Sequence, residues 1–141
     1  MILILDPDPP FVRWFLLGDG ELVENALAFD ASSDDRILSH FDDRDAIEAI
    51  GYVLYHGGEI VMEGETAMTE SSLRSVERCI PLFPEYNEIT FKAAQQWMAR
   101  FPGIPHFLFC DTAFFLDLPI EASTYAVPYE LREQGIRRYG G

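Results

Sequence analysis

Basic residues are scarce in this chain: 10 Lys and Arg stand against 24 Asp and Glu, a formal charge of −14. A field of that sign repels nucleic-acid phosphates and anionic membranes, so neither is an expected partner. Cysteine is scarcer still, with Cys79 and Cys110 alone among 141 residues. Two thiols make neither a disulfide framework nor a cysteine-built zinc site, and both fall in apolar segments, where reduced core cysteines sit. His40, His56 and His106 lie far apart without ligand spacing, and no structural metal is expected. The apolar opening Met1 to Leu5 has no basic flank and is too short for a signal peptide or a bilayer span, which points to the cytoplasm. No internal repeat or low-complexity tract is visible.

What the chain does contain is apolar surface. Hydrophobic residues make up 48% of it and aromatics 13%, enough for one folded domain over residues 1–141 and far from the composition of a disordered chain. Three strands open it: Met1 to Leu5, ended by Asp6-Pro7, then Phe11 to Leu17, then Glu21 to Phe29. Gly18-Asp19-Gly20 supplies the turn between the last two, since glycine accepts the positive φ of tight hairpins. Asp30 to Asp45 reads as a solvated acidic loop that leads to a short helix near Arg44 to Ile50.

A short strand at Tyr52 to Tyr55 stops at His56-Gly57-Gly58. Thr69 caps a helix whose apolar positions Leu73, Val76 and Ile80 follow helical spacing until Pro81 and Pro84. Asn87 is expected to cap the next one, with Ile89, Ala93 and Trp97 on its core face and Phe101-Pro102-Gly103 at its end. His106 to Cys110 is a final buried strand, and Tyr129 to Glu133 a short closing helix. The sum is an α/β fold: a mixed sheet of about five strands, three antiparallel and two parallel, with helices on its faces.

The run CDTAFFLDLPIEASTYAVPYELREQGIRRYG, Cys110 to Gly140, resembles the acetate kinase family, whose members carry FDTAFH followed by a PYE and an IRRYGFHG segment. YVLYHGGE at Tyr52 to Glu59 is similar to that family's HRVVHGGE, and LFPEYNEITFKAA at Leu82 to Ala94 to its LAPLHNPANLEGI. MILILD with FVRWFLL matches its opening strands in pattern. The resemblance implies the N-terminal half of an acetate or propionate kinase, with the ribonuclease-H-like fold of the actin-like ATPase superfamily. It implies phosphoryl transfer between ATP and a small carboxylate, with magnesium, in a cleft closed by a second domain that the sequence does not contain.

By that resemblance Asp111 is the catalytic-position aspartate and Arg13 stands where a lysine faces phosphate. Asp6 takes the place of an asparagine near magnesium, and His56, Gly57, Gly58 and Asn87 are remnants of the substrate cleft. The departures are as informative. Pro7-Asp8-Pro9-Pro10 replaces a glycine-and-serine phosphate loop, and proline has no N–H to offer an anion. Val53 replaces the substrate-binding arginine, Tyr55 a small pocket residue, Glu85 a leucine, Tyr86 a histidine and Phe115 another.

Two readings stay open for Arg13, a phosphate-facing remnant or an exposed strand arginine. Two stay open for Asp111, a cleft role or a cap on the Thr112 and Ala113 amides. The expectation is a degenerate domain without kinase activity of its own or cofactors, acting as an interaction or regulatory module. The alternative is half of a split carboxylate kinase that uses magnesium and ATP. Phe114, Phe115, Leu116 and Leu118 would leave an apolar patch beside the former cleft, to be covered by a homodimer or a protein partner unless these residues fold under Pro119 to Pro128.

Overall fold

The computed structural model describes residues 1–18, 20–30, 33–41, 46–57, 66–115, 117, 119–123 and 126–133. Six strands among them form one sheet: β1 (Ile2–Asp8), β2 (Phe11–Gly18), β3 (Glu21–Ala28), β4 (Ala49–Leu54), β5 (Thr66–Ala67) and β6 (His106–Cys110), in the order β3-β2-β1-β4-β6-β5. The helices are α1 (Ser33–Leu38), α2 (Glu70–Cys79), α3 (Pro84–Arg100), α4 (Ile120–Ser123) and α5 (Tyr129–Glu133). β1, β2 and β3 are antiparallel neighbours, whereas β4 and β6 run parallel to β1. This is the expected ribonuclease-H-like half, with the two-residue β5 added antiparallel to β6 as a sixth strand.

Alternation along the strands decides where the core lies. Leu3, Leu5, Val12, Trp14, Ile50, Tyr52, Leu54 and Leu108 point to one face and are buried there, with Ile37 and Leu38 of α1, Val76 and Cys79 of α2, and Ala93, Ala94 and Trp97 of α3. Beneath them a buried polar staple ties two strands: the Tyr52 hydroxyl donates to His106 Nδ1 at 2.7 Å, and His106 Nε2 donates to the Phe101 carbonyl at 2.9 Å. The Tyr52 hydroxyl is pushed well above its usual range by burial and, secondarily, by the Asp34 carboxylate.

Several expectations need correction. Within the acidic segment Asp30 to Asp45, residues 33–38 are helical rather than a solvated loop. Ser33 is fully buried, where its hydroxyl accepts from the Asp30 amide at 2.7 Å, and Ile37 and Leu38 enter the core. Acidic residues did not prevent this because Asp34 and Asp35 occupy the first helical turn, where the dipole favours them, and Arg100 reaches Asp35 at 2.7 Å. Of the helix expected near Arg44 to Ile50, only a 3-10 turn at Ala46 lies among the described residues: Ala49 and Ile50 already belong to β4, and residues 42–45 lie outside the described ones. β1 continues through Pro7 to Asp8 instead of stopping at Asp6.

Asn87 is no cap. α3 starts three residues earlier with Pro84 in its first turn, where a missing N–H costs nothing, and Asn87 lies inside it, fully buried. Thr69 does cap α2, its hydroxyl accepting from the Ser72 amide at 3.2 Å.

Candidate functional site

The carboxyl ends of β1, β4 and β6 lie side by side because the three strands are parallel, and in open α/β sheets that edge is where ligands sit. Asp6 and Asp8 come from β1, His56 and Gly57 from the loop after β4, and Asp111 and Thr112 from the turn after β6. The sheet thus gathers residues spread over more than a hundred positions of sequence.

β2 adds Arg13. The antiparallel register places it directly opposite Asp6, and its guanidinium bonds the Asp6 carboxylate while its Nε lies 3.8 Å from Asp8. Its charge is therefore spent on two carboxylates of its own hairpin, and its Cζ lies over the Phe15 ring, 5.8 Å from the centroid. Arg13 is half-buried and ion-paired, neither an exposed strand arginine nor a free cation.

Asp6 feels opposing influences. Desolvation pushes its carboxyl above the ordinary range, Arg13 pulls it down by charge and hydrogen bond, and Asp8 and Asp111 push it up again, so the net direction is upward. Asp111 is thus close enough to be felt at Asp6. Its own side chain is exposed, and among the described residues no hydrogen bond ties it to the Thr112 or Ala113 amide.

The His56 loop is held from three sides. Asn87 donates to the His56 carbonyl at 2.8 Å and to the Cys79 carbonyl at 2.7 Å, and accepts from the His56 amide at 3.2 Å. The Gly57 amide donates to the Thr112 hydroxyl at 3.3 Å, and the Cys79 thiol donates to the Gly57 carbonyl at 3.3 Å. That thiol is pushed up to about 11, first by burial. Gly57 is needed here for space: a Cβ would run into the Cys110 sulfur. Gly58 lies outside the described residues.

Beside this loop, Tyr55, Phe83 and Tyr86 form a three-ring cluster with centroids 4.5 to 4.9 Å apart. Contacts of that geometry are cohesive and fill the volume between the end of β4 and the start of α3. Val53, on β4, offers no charge, although Thr90 donates to its carbonyl at 2.7 Å. Among the described residues no group of three or more His, Cys, Asp or Glu is placed to hold a metal ion, and no helix is long and apolar enough to cross a membrane.

Sequence reasoning missed Asp8 as an Arg13 partner, Phe83 as the third ring, and Cys79 and Thr112 as anchors of the Gly57 backbone. The first had a signal: once β1 runs past Pro7, Asp6 and Asp8 alternate onto the face that carries Arg13.

The sequence model of the acetokinase family matches residues 23–141, covering β3, the His56 loop, α3 and the Asp111 turn. The chain belongs to the acetokinase family. It is 38% identical over 128 residues to an acetate kinase 1 of Vibrio vulnificus (88% of this chain, 31% of the relative) and 40% identical over 106 residues to an acetate kinase of Shewanella loihica (74% of this chain, 26% of the relative). In solved structures the same fold occurs in a propionate kinase of Francisella tularensis, with a TM-score of 0.80 at 22% identity, and in the Porphyromonas gingivalis acetate kinase, with 0.79 at 27%. This acetokinase-family chain is covered to 99% in both superpositions and spans 44% of each of those chains. It corresponds to their N-terminal domain.

Proposed function

We propose that this acetokinase-family domain binds rather than catalyses, acting in the cytoplasm as an interaction or regulatory module without kinase activity of its own. The observation that carries the reading is the Asp6–Arg13–Asp8 clamp. In the family resemblance, the Arg13 position offers a cation to phosphate and the β1–β2 turn offers backbone amides. Here the cation is already neutralised by two carboxylates, and Pro9 and Pro10 remove two amides from the turn.

Magnesium and ATP do not fit this donor set. Asp8, the more exposed of the Arg13–Asp8 pair, turns a negative charge to any nucleoside triphosphate, and Asp6 has a guanidinium partner and an elevated carboxyl, the opposite of what a magnesium ligand needs. No step through either group is derived. A small carboxylate fares no better, since Val53 carries no charge and the Tyr55, Phe83 and Tyr86 rings occupy the neighbouring volume. The reduced, unpaired state of Cys79 and Cys110 suits a reducing compartment.

Calorimetric titration with Mg-ATP up to millimolar concentration tests this directly, and no saturable heat is the expected result. A dissociation constant below ~100 μM, about 5.5 kcal/mol of binding, overturns it. So does acyl-phosphate formation from acetate or propionate that disappears in Asp111→Asn.

One observation favours the second reading, half of a carboxylate kinase completed by a separate second-domain chain: the Asp111 carboxylate is exposed and near Asp6 at the carboxyl-end crevice. Under that reading, mixing the chain with the C-terminal half of a related acetate kinase produces acetate-dependent ATP turnover that neither part shows alone.

A further inference from the structure

Cys79 and Cys110, the only thiols of the chain, lie far apart in sequence, yet the fold brings both to Gly57. Cys110 ends β6 two residues after Leu108, so alternation turns it to the same helix-covered face, where it packs against the core. Cys79 ends α2 and enters the core from the helix side of that face. Its thiol donates to the Gly57 carbonyl at 3.3 Å, while the Cys110 sulfur stands 2.2 Å from the point where a Gly57 Cβ would be.

Those two contacts bound the distance between the sulfurs. Within one residue the carbonyl oxygen and the Cβ position are ~3 Å apart, so the sulfurs are no more than ~8–9 Å from each other. A change of χ1 rotamer carries a cysteine sulfur through ~3 Å, which brings the pair within reach of a bond when both side chains turn. The missing Cβ of Gly57 leaves free the volume in which the Cys110 sulfur lies.

We propose that Cys79 and Cys110 form a reversible disulfide, closed by exchange with a small-molecule disulfide of the glutathione class, and that closure reshapes the His56 loop. Cys110 reacts first because it is the less buried of the two, whereas the Cys79 thiol, pushed up to about 11 by burial and then by Cys110, keeps its proton. The Cys110 thiol gives up its proton and its sulfur attacks one sulfur of the small disulfide. That S–S bond breaks, and the departing small thiolate takes the proton. The Cys79 sulfur then attacks the Cys110 sulfur of the mixed disulfide, and its proton goes to the second small thiolate. Two protein thiols are thereby oxidised by two electrons, and one small disulfide is reduced to two thiols.

In the reduced chain the same sulfurs hold the loop in place. Cys79 does so through the Gly57 carbonyl, and Cys110 through its 3.1 Å approach to the Thr112 hydroxyl, which accepts from the Gly57 amide. A bond between the sulfurs withdraws both from these partners, so the backbone around Gly57 moves and with it the carboxyl-end edge of the sheet. The inference supplies an input for a regulatory module and rests on that reading for its purpose alone. Exchange needs neither nucleotide nor partner, so either proposal can fail by itself.

Equilibrating the whole chain in glutathione buffers of rising disulfide-to-thiol ratio, followed by alkylation and tryptic mass spectrometry, tests the bond. The expected product links peptides 79–92 and 101–132, weighs about 2 Da less than the dithiol chain and reverts with dithiothreitol. Cys79→Ser is expected to stop at the glutathione mixed disulfide on Cys110, and Cys110→Ser to react at least ~10-fold more slowly than the wild type. On closure, the amide resonances of His56, Gly57 and Thr112 are expected to shift more than those of β2 and β3. The absence of a link at the highest ratio overturns the inference, and so do mixed disulfides that persist on the wild-type chain. Linkage seen only between two chains, or only once urea has unfolded the chain, has the same consequence. A link that leaves the His56 and Gly57 resonances in place overturns the claim about the loop.

Discussion

Replacing Asn87 with alanine is expected to destabilise the domain by more than any surface substitution. The side chain is fully buried and makes three hydrogen bonds, two donated to the carbonyls of His56 and Cys79 and one accepted from the His56 amide. Each bond contributes ~1 kcal/mol net, and a buried backbone group left without a partner costs ~1–3 kcal/mol. Water entering the vacated volume satisfies part of that loss, so the expected cost is ~3–5 kcal/mol, out of a total of ~7–20 kcal/mol for a domain of this size.

Urea denaturation followed by circular dichroism reads the change as a lower midpoint at constant slope, and melting temperature falls by ~10–15 °C. Because the bonds converge on one loop, amide exchange at His56 and Gly57 accelerates more than exchange in β2 and β3. Asn87→Asp keeps the acceptor but removes both donations, so it falls at or beyond the alanine value. A loss below 1 kcal/mol, or exchange that accelerates uniformly, refutes the view that Asn87 holds this loop.

Gly57→Ala is expected to cost ~1–3 kcal/mol through the clash with the Cys110 sulfur, and the double variant Gly57→Ala with Cys110→Ala to recover at least half of it in a double-mutant cycle; additive losses would refute the contact. The Asp6 carboxyl is expected to titrate above 3.8 in a carbon-13 NMR experiment, and higher still in Arg13→Ala, which removes the downward pull. The sign follows from linkage: a carboxyl raised in the folded state burdens folding once it ionises, so the cost is absent below 3.8, grows as pH rises and is complete above the folded value. A midpoint below 3.8 contradicts this. Thr69→Ala is expected to destabilise α2 by ~1 kcal/mol with Thr69→Ser nearly neutral, and equal losses in the two variants would show that the hydroxyl cap is not the cause.

Sequence by itself determined the elements whose signals are local. The positive-φ turn residue Gly20, the β-branched and aromatic strands, the Thr69 cap and the 3.6-residue period of α3 are all properties of a few neighbouring residues, and each is in the structure. The family was legible for a related reason, since its motifs are contiguous runs that match without knowledge of the fold.

Tertiary structure decided what depends on residues far apart. Nothing near Asn87 distinguishes a cap from a buried staple, because two of the three groups it bonds belong to a loop 31 positions upstream. α1 forms in an acidic stretch because Ile37, Leu38 and Phe41 find the Trp14 surface, and burial outweighs a propensity that favours a loop. Arg13 looks like a free cation in sequence, yet hairpin register alone places it between Asp6 and Asp8, and charge in a site is fixed by neighbours in space. The covered sheet face belongs to the same class, since strand alternation marks two apolar faces and only the packing of α1, α2 and α3 shows which one they cover.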